Sequence, residues 1–224
     1  MTDSEGGGRH SIAFSADLIT EPQALAEREA RNGLLQFDLG MQIVETAIER
    51  HVENFKLRPS LILSLHRSAL DGISLYAGNW RPAGIAIEGS QHEPVGAHLV
   101  AELVEEMCDY VNDHWLITSA LHLSAYLMWR LNWIHPFADG NGRTSRILSY
   151  TVLSIRLGSR LPGTPTIPEQ IVDNRDPYFH ALDSADSAWK QGKVDVSEME
   201  KMLEGMLAKQ LMSVIENAAS RKIR

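Results

Sequence analysis

Twelve residues in the second half of the chain hold most of the side chains that could perform chemistry on a phosphate. The segment spans residues 135–146 and reads His-Pro-Phe-Ala-Asp-Gly-Asn-Gly-Arg-Thr-Ser-Arg. Gly140, Asn141 and Gly142 come directly before an apolar run with helical spacing, which predicts a glycine-rich turn at a helix N-terminus. Such a turn presents backbone N–H groups and the positive end of the helix dipole to an anion. The segment therefore predicts a phosphate site.

The charged residues of the same segment fit this chemistry. Arg143 and Arg146 are three positions apart and share a helix face, and they supply local positive charge to a chain whose net charge is −8. Asp139 lies beside the turn, and a single carboxylate next to phosphates is the usual protein contribution to a Mg²⁺ site. The imidazole of His135 can accept a proton at neutral pH, since its unperturbed pKa is about 6.5. Together they predict phosphate transfer with a built-in general base.

Each of these features also has a structural interpretation. An Asp before a helix is usually a cap, Gly-Asn-Gly is a common turn, and two arginines three apart usually form a solvated face. The occurrence of all of them within twelve residues favours the functional interpretation. Pro136 is expected to stiffen the exit from the preceding helix, and Phe137 is expected to anchor the loop in the core.

The remaining pattern predicts an all-α domain that positions this segment. Helical periodicity begins near Pro22. The run Thr166-Ile-Pro-Glu169 is a capping box with proline inside the first turn, and it predicts the start of another helix. Further helices are predicted over about 60–75, 97–112, 118–133 and 143–158, with a last one through about 217. Between them, residues 77–89 are broken by Gly and Pro, and Ile85-Ala-Ile87 predicts a short β-hairpin or flap.

The domain organisation follows from composition. Residues 1–13 are glycine-rich and polar and are expected to be disordered. Residues 14–224 are expected to form a single domain with its core over about 59–190.

Composition excludes several classes of function. The acidic balance argues against a nucleic-acid binder, which usually has a basic face. The one cysteine, Cys108, cannot form an internal disulfide and is expected to be a small core residue. The N-terminus lacks the features of a signal peptide, and no run approaches the roughly 20 apolar residues of a membrane span. We therefore expect a cytoplasmic protein with no membrane partner. A zinc hydrolase is disfavoured because three or four ligands at zinc spacing are missing.

The segment HPFADGNGRTSR resembles the signature of the Fic family, His-Pro-Phe-x-(Asp/Glu)-Gly-Asn-Gly-Arg-x-x-Arg, at every fixed position. The similarity extends over about 59–186 and includes Gly78-Asn-Trp-Arg81 at the entry to the flap. It implies an all-helical Fic fold with a small β-hairpin flap. It also implies an enzyme that moves AMP from Mg-ATP to a Ser, Thr or Tyr hydroxyl of a target protein and releases pyrophosphate.

The resemblance implies a role for each matching residue. His135 would be the general base, and Asp139 would hold Mg²⁺ between the α- and β-phosphates. The backbone of Gly140–Gly142 and the Asn141 side chain would form the anion pocket, and Arg143 and Arg146 would hold the outer phosphates. The loss of the base in His135→Ala is expected to abolish transfer and to leave nucleotide binding largely intact.

Two further sites are implied outside the signature. Tyr178 or Phe179 resembles an aromatic position near the adenine base. The flap, at about 81–90, would align an extended segment of the target by strand-type hydrogen bonding.

Control of the activity is where the sequence departs from the family pattern. Many Fic proteins carry or borrow an inhibitory helix, (Ser/Thr)-x-x-x-Glu-(Gly/Asn), whose Glu pairs with the second signature arginine, here Arg146. No Glu followed by Gly or Asn has a hydroxyl residue four positions earlier. Glu29 is the loose match, with Leu25 in the hydroxyl position and Ala30 after it. A divergent motif, a separate antitoxin and an absence of inhibition all stay open.

Other functions remain as alternatives. Doc-like kinases, which transfer the γ-phosphate, have Lys where this chain has Gly142. Transfer of another phosphate-linked group, such as UMP or phosphocholine, is a related alternative. A catalytically silent interaction protein usually loses the His, Asp or Arg of the signature, and none is lost here. Formation of a homo-oligomer stays open.

Overall fold

The computed structural model describes residues 10–12, 17–88 and 92–222, and within them the chain is mainly α-helical. Two short strands, β1 (His10–Ile12) and β2 (Ala86–Glu88), pair antiparallel. Single turns of 3₁₀ helix occur at Val52–Asn54 and Ala97–Leu99. The α-helices are α1 (Pro22–Glu49), α2 (Pro59–Leu70), α3 (Val100–Asp113), α4 (Ala120–Ile134), α5 (Asn141–Arg156), α6 (Ile167–Asp173), α7 (Asp176–Trp189) and α8 (Ser197–Lys222).

The helices α4 and α5 form the centre of the domain and pack against each other. Both are buried around most of their circumference, as expected of helices enclosed on all sides. The helices α1 and α2 cover α5, and α3, α7 and α8 pack against α4. The loop 135–140 that joins the two central helices is therefore held by the core of the protein. A loop held in this way can position reactive groups with little motion.

The long helix α1 lies very close to α5 and α2. A Cβ atom at Gly40 would be 2.9 Å from Thr151 Oγ1, so only glycine allows this approach. Asn32 Nδ2 donates to the carbonyl oxygens of Ala69, at 3.2 Å, and Asp71, at 2.9 Å. These bonds fix the first half of α1 beside the end of α2.

The last helix is fixed by a buried amide. Gln210 is 0% exposed, and its Nε2 donates to the hydroxyl of Tyr150 at 2.8 Å. Its Oε1 accepts from the backbone N–H of Ile167 at 3.1 Å. One side chain of α8 thus joins the C-terminal helix to α5 and to the start of α6.

Several expectations are confirmed. The fold is all-α, the capping box of Thr166 and Glu169 begins α6, and Cys108 is a buried core residue. Burial raises the pKa of the Cys108 thiol to about 12. None of the described helices combines the length and apolarity needed to cross a bilayer.

The structure differs from expectation in three places. Helix α2 stops at Leu70, before the expected 75, because Gly72 turns the chain with φ 69. Helix α7 was not predicted. The strand expected in the flap is present as β2, but it pairs with β1 and not with a neighbouring strand of a hairpin. Strand β1 falls within residues 1–13, which were expected to be disordered; the rest of that range lies outside the described residues.

Candidate active site

His135 follows the last residue of α4 and has φ 53, in the left-handed region that few residues other than glycine adopt. Its backbone carbonyl accepts a hydrogen bond from Arg81 Nε at 2.7 Å. Its side-chain Nδ1 lies 3.2 Å from the carbonyl oxygen of Asn132. A carbonyl oxygen can only accept, so Nδ1 carries the ring proton and Nε2 is the basic nitrogen.

Burial sets the charge of this imidazole. His135 is 7% exposed, and desolvation lowers its pKa to about 4. The positive charge of Arg81 and the nearby His92 lower the pKa further, while the Asn132 hydrogen bond and Asp139 oppose the shift. At neutral pH the ring is therefore neutral and able to accept a proton.

The loop after His135 is closed from within by Asn141. The side-chain Oδ1 of Asn141 accepts from the backbone N–H of Phe137 at 2.9 Å, and its Nδ2 donates to the Phe137 carbonyl at 2.8 Å. Asn141 is 2% exposed. Both polar atoms of the side chain thus bond within the loop, and Asn141 also lines the cavity, so its expected contact with the anion stays a prediction. Phe137 is fully buried, as expected.

A buried histidine of α2, His66, contacts the loop 135–140 from the side of the core. His66 stacks on Phe137 with ring centroids 3.7 Å apart and an angle of 4° between the rings. Its Nδ1 accepts from the backbone N–H of Gly78 at 2.9 Å, so the proton is on Nε2, which donates to the Asp139 carbonyl at 3.0 Å. Burial lowers the pKa of His66 to about 4, which keeps this arrangement intact at neutral pH. No sequence pattern identifies His66 as part of the site, since a lone histidine in an apolar helix is usually a core residue.

Arg81 ties the loop to the base of the flap. Its backbone N–H donates to the Pro136 carbonyl at 2.8 Å, and its guanidinium donates to the carbonyls of His135, Ala83 and Val95. Arg81 is 2% exposed, so it acts as an internal brace. The Gly78-Asn-Trp-Arg81 resemblance was the signal for this residue, although it assigned no role to it.

The N-terminus of α5 faces the cavity without a cap. Gly140 is its N-cap with φ 78, and as a glycine it has no side chain to cap the first turn. A Cβ at Gly140 would be 2.6 Å from Leu70 Cδ2, so the turn requires glycine. A helix N-terminus without a side-chain cap suits an anion, and binding of a phosphate there stays a prediction.

Arg146 adds a positive charge next to this helix end. It lines the cavity, and its side chain is hydrogen-bonded to Tyr178. Desolvation lowers the pKa of its guanidinium, and the positive charges of Arg175 and Arg143 lower it further, while Tyr178 opposes the shift. A partly buried cation next to two further arginines is suited to bind an anionic ligand.

Arg143, by contrast, is engaged by two carboxylates. Its Nη1 lies 2.8 Å from Glu29 Oε1 of α1, and its Nη2 lies 2.6 Å from Asp139 Oδ2. The structure therefore brings Glu29 to the site, but to the first signature arginine and not to Arg146 as the family pattern implies. The three charged groups lie partly exposed at the rim of the cavity.

These groups share one cavity of about 800 Å³, a size typical of small-molecule sites. The charged end contains the signature residues, Glu29 and Arg175. Apolar side chains of α6 and α7, with Ala26 and Ala30 of α1, line another part of it. Ile87 of β2 also contributes, so the flap borders the same cavity as His135.

The two aromatic candidates differ in their surroundings. Tyr178 is 3% exposed, and its hydroxyl accepts from Asn132 Nδ2 at 2.8 Å. It connects Asn132, which bonds His135, with Arg146. Phe179 also lines the cavity and is only partly buried. Tyr178 is therefore engaged in hydrogen bonds with Asn132 and Arg146, and Phe179 offers the more accessible aromatic surface for an adenine ring.

A metal ion would have one protein carboxylate here. Asp139 lines the cavity with its side chain 57% exposed. No group of three or more His, Cys, Asp or Glu suited to a metal occurs in the described ranges. Mg²⁺ accepts a single carboxylate when phosphates and waters complete its shell. Asp139 fits this requirement, provided that its ion pair with Arg143 opens.

Comparison with known proteins agrees with this geometry. The model of the Fic/DOC family matches residues 56–153. The Protein adenylyltransferase Fic of Drosophila willistoni is 31% identical over 188 residues, which are 77% of this chain and 35% of that protein. The chain thus spans about a third of the length of the curated relatives it matches.

Solved structures share the fold. A Fic domain containing signaling protein from Bacteroides thetaiotaomicron superposes with a TM-score of 0.64 at 20% identity, over 81% of this chain and 70% of that one. The BepC protein of Bartonella tribocorum, solved with bound AMPPNP, gives a TM-score of 0.55 at 15% identity, over 84% of this chain and 88% of that one. At these identities the likeness concerns the fold alone.

Proposed function

Because this chain belongs to the Fic/DOC family, we propose that it transfers AMP from Mg-ATP to a hydroxyl of a target protein. The observation that carries the proposal is the meeting of a neutral His135, an uncapped helix N-terminus and Arg146 in one cavity. The name of the Drosophila relative states this activity for that protein. The BepC protein of Bartonella tribocorum, which shares the fold, is solved with bound AMPPNP, and we propose a nucleotide for this cavity too.

The nucleotide would lie along the cavity with its phosphates at the N-terminus of α5. Backbone N–H groups of the first turn and the guanidinium of Arg146 would bind the phosphate oxygens. The adenine would reach the apolar side chains of α6 and α7, next to Phe179. In this orientation the α-phosphate would lie near His135 and the flap, which border the same cavity.

In the proposed transfer step, one phosphorus–oxygen bond forms and one breaks. The target hydroxyl oxygen forms a bond with the α-phosphorus, and the bond from that phosphorus to the α–β bridging oxygen breaks. His135 Nε2 takes the hydroxyl proton, and pyrophosphate leaves. The phosphate charges would raise the His135 pKa from about 4 towards neutrality, which makes it a more effective base. Mg²⁺ at Asp139 would neutralise charge on the departing pyrophosphate.

The residue at position 142 favours this reaction over kinase activity. A Cβ at Gly142 would lie 3.1 Å from Arg146 Nη1, so any side chain there would crowd the guanidinium. A lysine at this position would also add a second cation beside Arg146 and change the phosphate site. Glycine leaves Arg146 in place for a polyphosphate bound through the α5 N-terminus.

Labelled ATP tests the proposal. The full chain is incubated with a cell extract and ATP labelled at the α- or the γ-phosphate. Transfer of label only from the α-position is expected, whereas transfer only from γ would establish a kinase and refute the proposal. Competition with unlabelled UTP and CDP-choline tests the UMP and phosphocholine alternatives.

Two variants define the role of the base. His135→Ala is expected to abolish transfer and to keep the affinity for ATP, because Nε2 acts on the hydroxyl. His98→Ala, which changes an exposed histidine outside the cavity, serves as the matched control. Near-normal transfer by His135→Ala would overturn the assignment.

We include Glu29 in the proposal as a regulatory residue. Its 2.8 Å ion pair with Arg143 occupies a guanidinium that would otherwise bind the outer phosphates. Glu29→Gly is expected to raise transfer and ATP affinity. Glu27→Gly is the matched control, because it makes the same substitution on an exposed position of the same helix. Equal activity of both variants would discard Glu29 and would favour a separate antitoxin as the inhibitor.

A further inference from the structure

A second groove lies between the C-terminal half of α1 and the loop 54–58, and we name it the α1 groove. Its volume is about 500 Å³, a size typical of ligand sites. Leu39, Ile43, Thr46 and Arg50 line it, and their spacing of three and four residues places them on one face of the helix. It shares no lining residue with the cavity that contains the signature. The α1 groove is therefore a separate surface.

The loop that forms the opposite wall of the α1 groove is held by the core. Asn112 Nδ2 donates to the Leu57 carbonyl at 2.9 Å, and Asn112 Oδ1 accepts from the Leu57 backbone N–H at 2.8 Å. The ring of Phe55 packs on Trp115 with ring centroids 4.9 Å apart. Both walls are thus formed before any partner binds, which reduces the entropy that binding costs.

Three cations border the α1 groove, namely Arg50, Lys56 and Arg58. All three are exposed, and none forms an ion pair within the part of the chain that the structure describes. The acids nearest to them in the sequence, Glu49 and Glu53, do not line the groove. In a chain with a net charge of −8, this cluster is a local positive patch that complements an acidic ligand.

The floor of the α1 groove is apolar. Leu39, Ile43 and Phe55 are only partly buried, and Ala47 lies between them and the core. Covering such side chains is favourable because it removes apolar surface from water. An inorganic anion would pair with the cations and leave this floor in water, and the acidic chain disfavours a nucleic acid. A peptide with both carboxylates and apolar side chains complements the rim and the floor together.

We propose that the α1 groove binds an acidic segment of a partner protein. Apolar side chains of that segment enter between α1 and the loop 54–58, and its Asp or Glu side chains pair with Arg50, Lys56 and Arg58. The interaction is a docking contact, so it requires neither ATP nor His135 and stands apart from the proposed transfer of AMP.

Selection from a random peptide display library tests the chemistry of the partner. The immobilised full chain selects peptides, which are then synthesised and measured by fluorescence anisotropy. The selected sequences are expected to combine Asp or Glu with Leu, Ile or Phe. Their affinity is expected to fall as salt is raised, because exposed charges are screened. Selection of basic or uncharged peptides, or of none, would overturn the proposal.

Charge reversal locates the peptides on the protein. The triple variant Arg50→Glu, Lys56→Glu, Arg58→Glu is expected to weaken their binding by about tenfold or more. The control makes the same change of charge at three exposed lysines that line neither cavity, Lys190, Lys193 and Lys209. Equal binding by the two triple variants would place the peptides elsewhere and overturn the proposal.

Filling the groove tests its floor without changing any charge. Thr46 is exposed and lines the groove, and Thr46→Trp is expected to block the peptides by about tenfold or more. Leu34→Trp is the control, because Leu34 is an exposed residue of α1 outside both cavities. Urea unfolding verifies that both variants are folded. Full binding by folded Thr46→Trp would show that the peptides do not enter the groove.

A second copy of this chain is the competing occupant. Sedimentation velocity is expected to give the same mass for the wild type and for the triple variant at Arg50, Lys56 and Arg58. Self-association that this variant abolishes would assign the groove to a second copy and overturn the proposal. Tighter binding of a single-stranded oligonucleotide than of the selected peptides, lost in the same variant, would overturn it as well.

Discussion

Acid should destabilise this protein through the same two histidines that build the site. His66 and His135 are buried, and each has its pKa lowered from 6.5 to about 4 in the folded protein. In the unfolded chain both recover ordinary pKa values near 6.5. Between pH 4 and 6.5 the unfolded state therefore binds more protons than the folded state. The free energy of unfolding must fall as the pH falls through this range.

The two pKa values give the size of the effect. Proton linkage integrated from pH 7 to pH 5 yields a loss of about 2 kcal/mol for each histidine. The two together would remove about 4 kcal/mol, a large part of the 5–15 kcal/mol typical of a whole protein. Almost none of the loss should occur above pH 7, because both states are then unprotonated at these positions.

Urea unfolding at pH 7 and pH 5 measures the loss directly. Carboxylates also contribute to the wild-type pH dependence, so the comparison is made between variants. His66→Gln and His135→Gln should each lose about 2 kcal/mol less than wild type between the two pH values. Their stabilities at pH 7 need not match, because only the difference between pH values is compared.

An exposed histidine supplies the control. His98→Gln should show the pH dependence of the wild type, because His98 lies on the surface. If His66→Gln and His135→Gln also follow the wild type, the two rings are not kept neutral by burial. The lowered pKa values of His66 and His135 would then be refuted.

Three substitutions test the supports of the site and of the fold. Gly140→Ala should lower the free energy of unfolding by about 1–3 kcal/mol and weaken ATP binding, because Gly140 has φ 78 and a Cβ there would meet Leu70. Gly33→Ala is the control: a Cβ at Gly33 meets nothing within 4 Å, so urea unfolding should show a neutral or stabilising effect. Asn141→Ala should abolish transfer, assayed with α-labelled ATP, because the loop loses both bonds to Phe137, and unchanged activity would contradict this role. Gln210→Ala should cost about 2–4 kcal/mol of stability through the unpaired groups it leaves while the ATP affinity stays the same, and a loss of affinity would show that α8 affects the site.

The sequence predicts the residues of the site better than it predicts the side chains that hold the loop 135–140 in position. The order of the signature residues implies the turn and the anion site, because those depend on local spacing. The bonds by which Asn141 closes the loop were not predicted, since its amide and the loop backbone meet only after the loop has folded. His66 could not be found at all, because its partners Gly78 and Asp139 are 12 and 73 residues away. Long-range polar contacts of this kind leave no periodic pattern in a sequence.

The same limit applies to the flap. Ile85-Ala-Ile87 between turn residues predicts a strand, and β2 is present. A local pattern suggests a local partner, and so a hairpin was expected. The observed partner lies some 75 residues earlier, in a segment whose glycine content favours disorder. Strand pairing between distant segments depends on register and edge availability, neither of which local composition reports.

The position of Glu29 depends on how α1 is held, and this gives a last prediction. Asn32 Nδ2 donates to the carbonyls of Ala69 and Asp71, and Arg28 Nε donates to the Asp71 carbonyl. These residues flank Glu29 on α1 and fix it opposite Arg143. Asn32→Ala removes two of the bonds without touching the cavity. We therefore expect it to loosen Glu29 and to raise both ATP affinity and transfer, although the fold loses about 1 kcal/mol.

A matched substitution makes this prediction decisive. Asn54→Ala removes an exposed bond to the Arg50 carbonyl, away from the site, and should change neither ATP affinity nor transfer. The double variant Asn32→Ala with Glu29→Gly should be no more active than Glu29→Gly alone, because both changes release the same arginine. Additive gains would mean that Asn32 acts on the site by another route. An unchanged ATP affinity in Asn32→Ala would show that the α1–α2 bonds do not hold Glu29 in place.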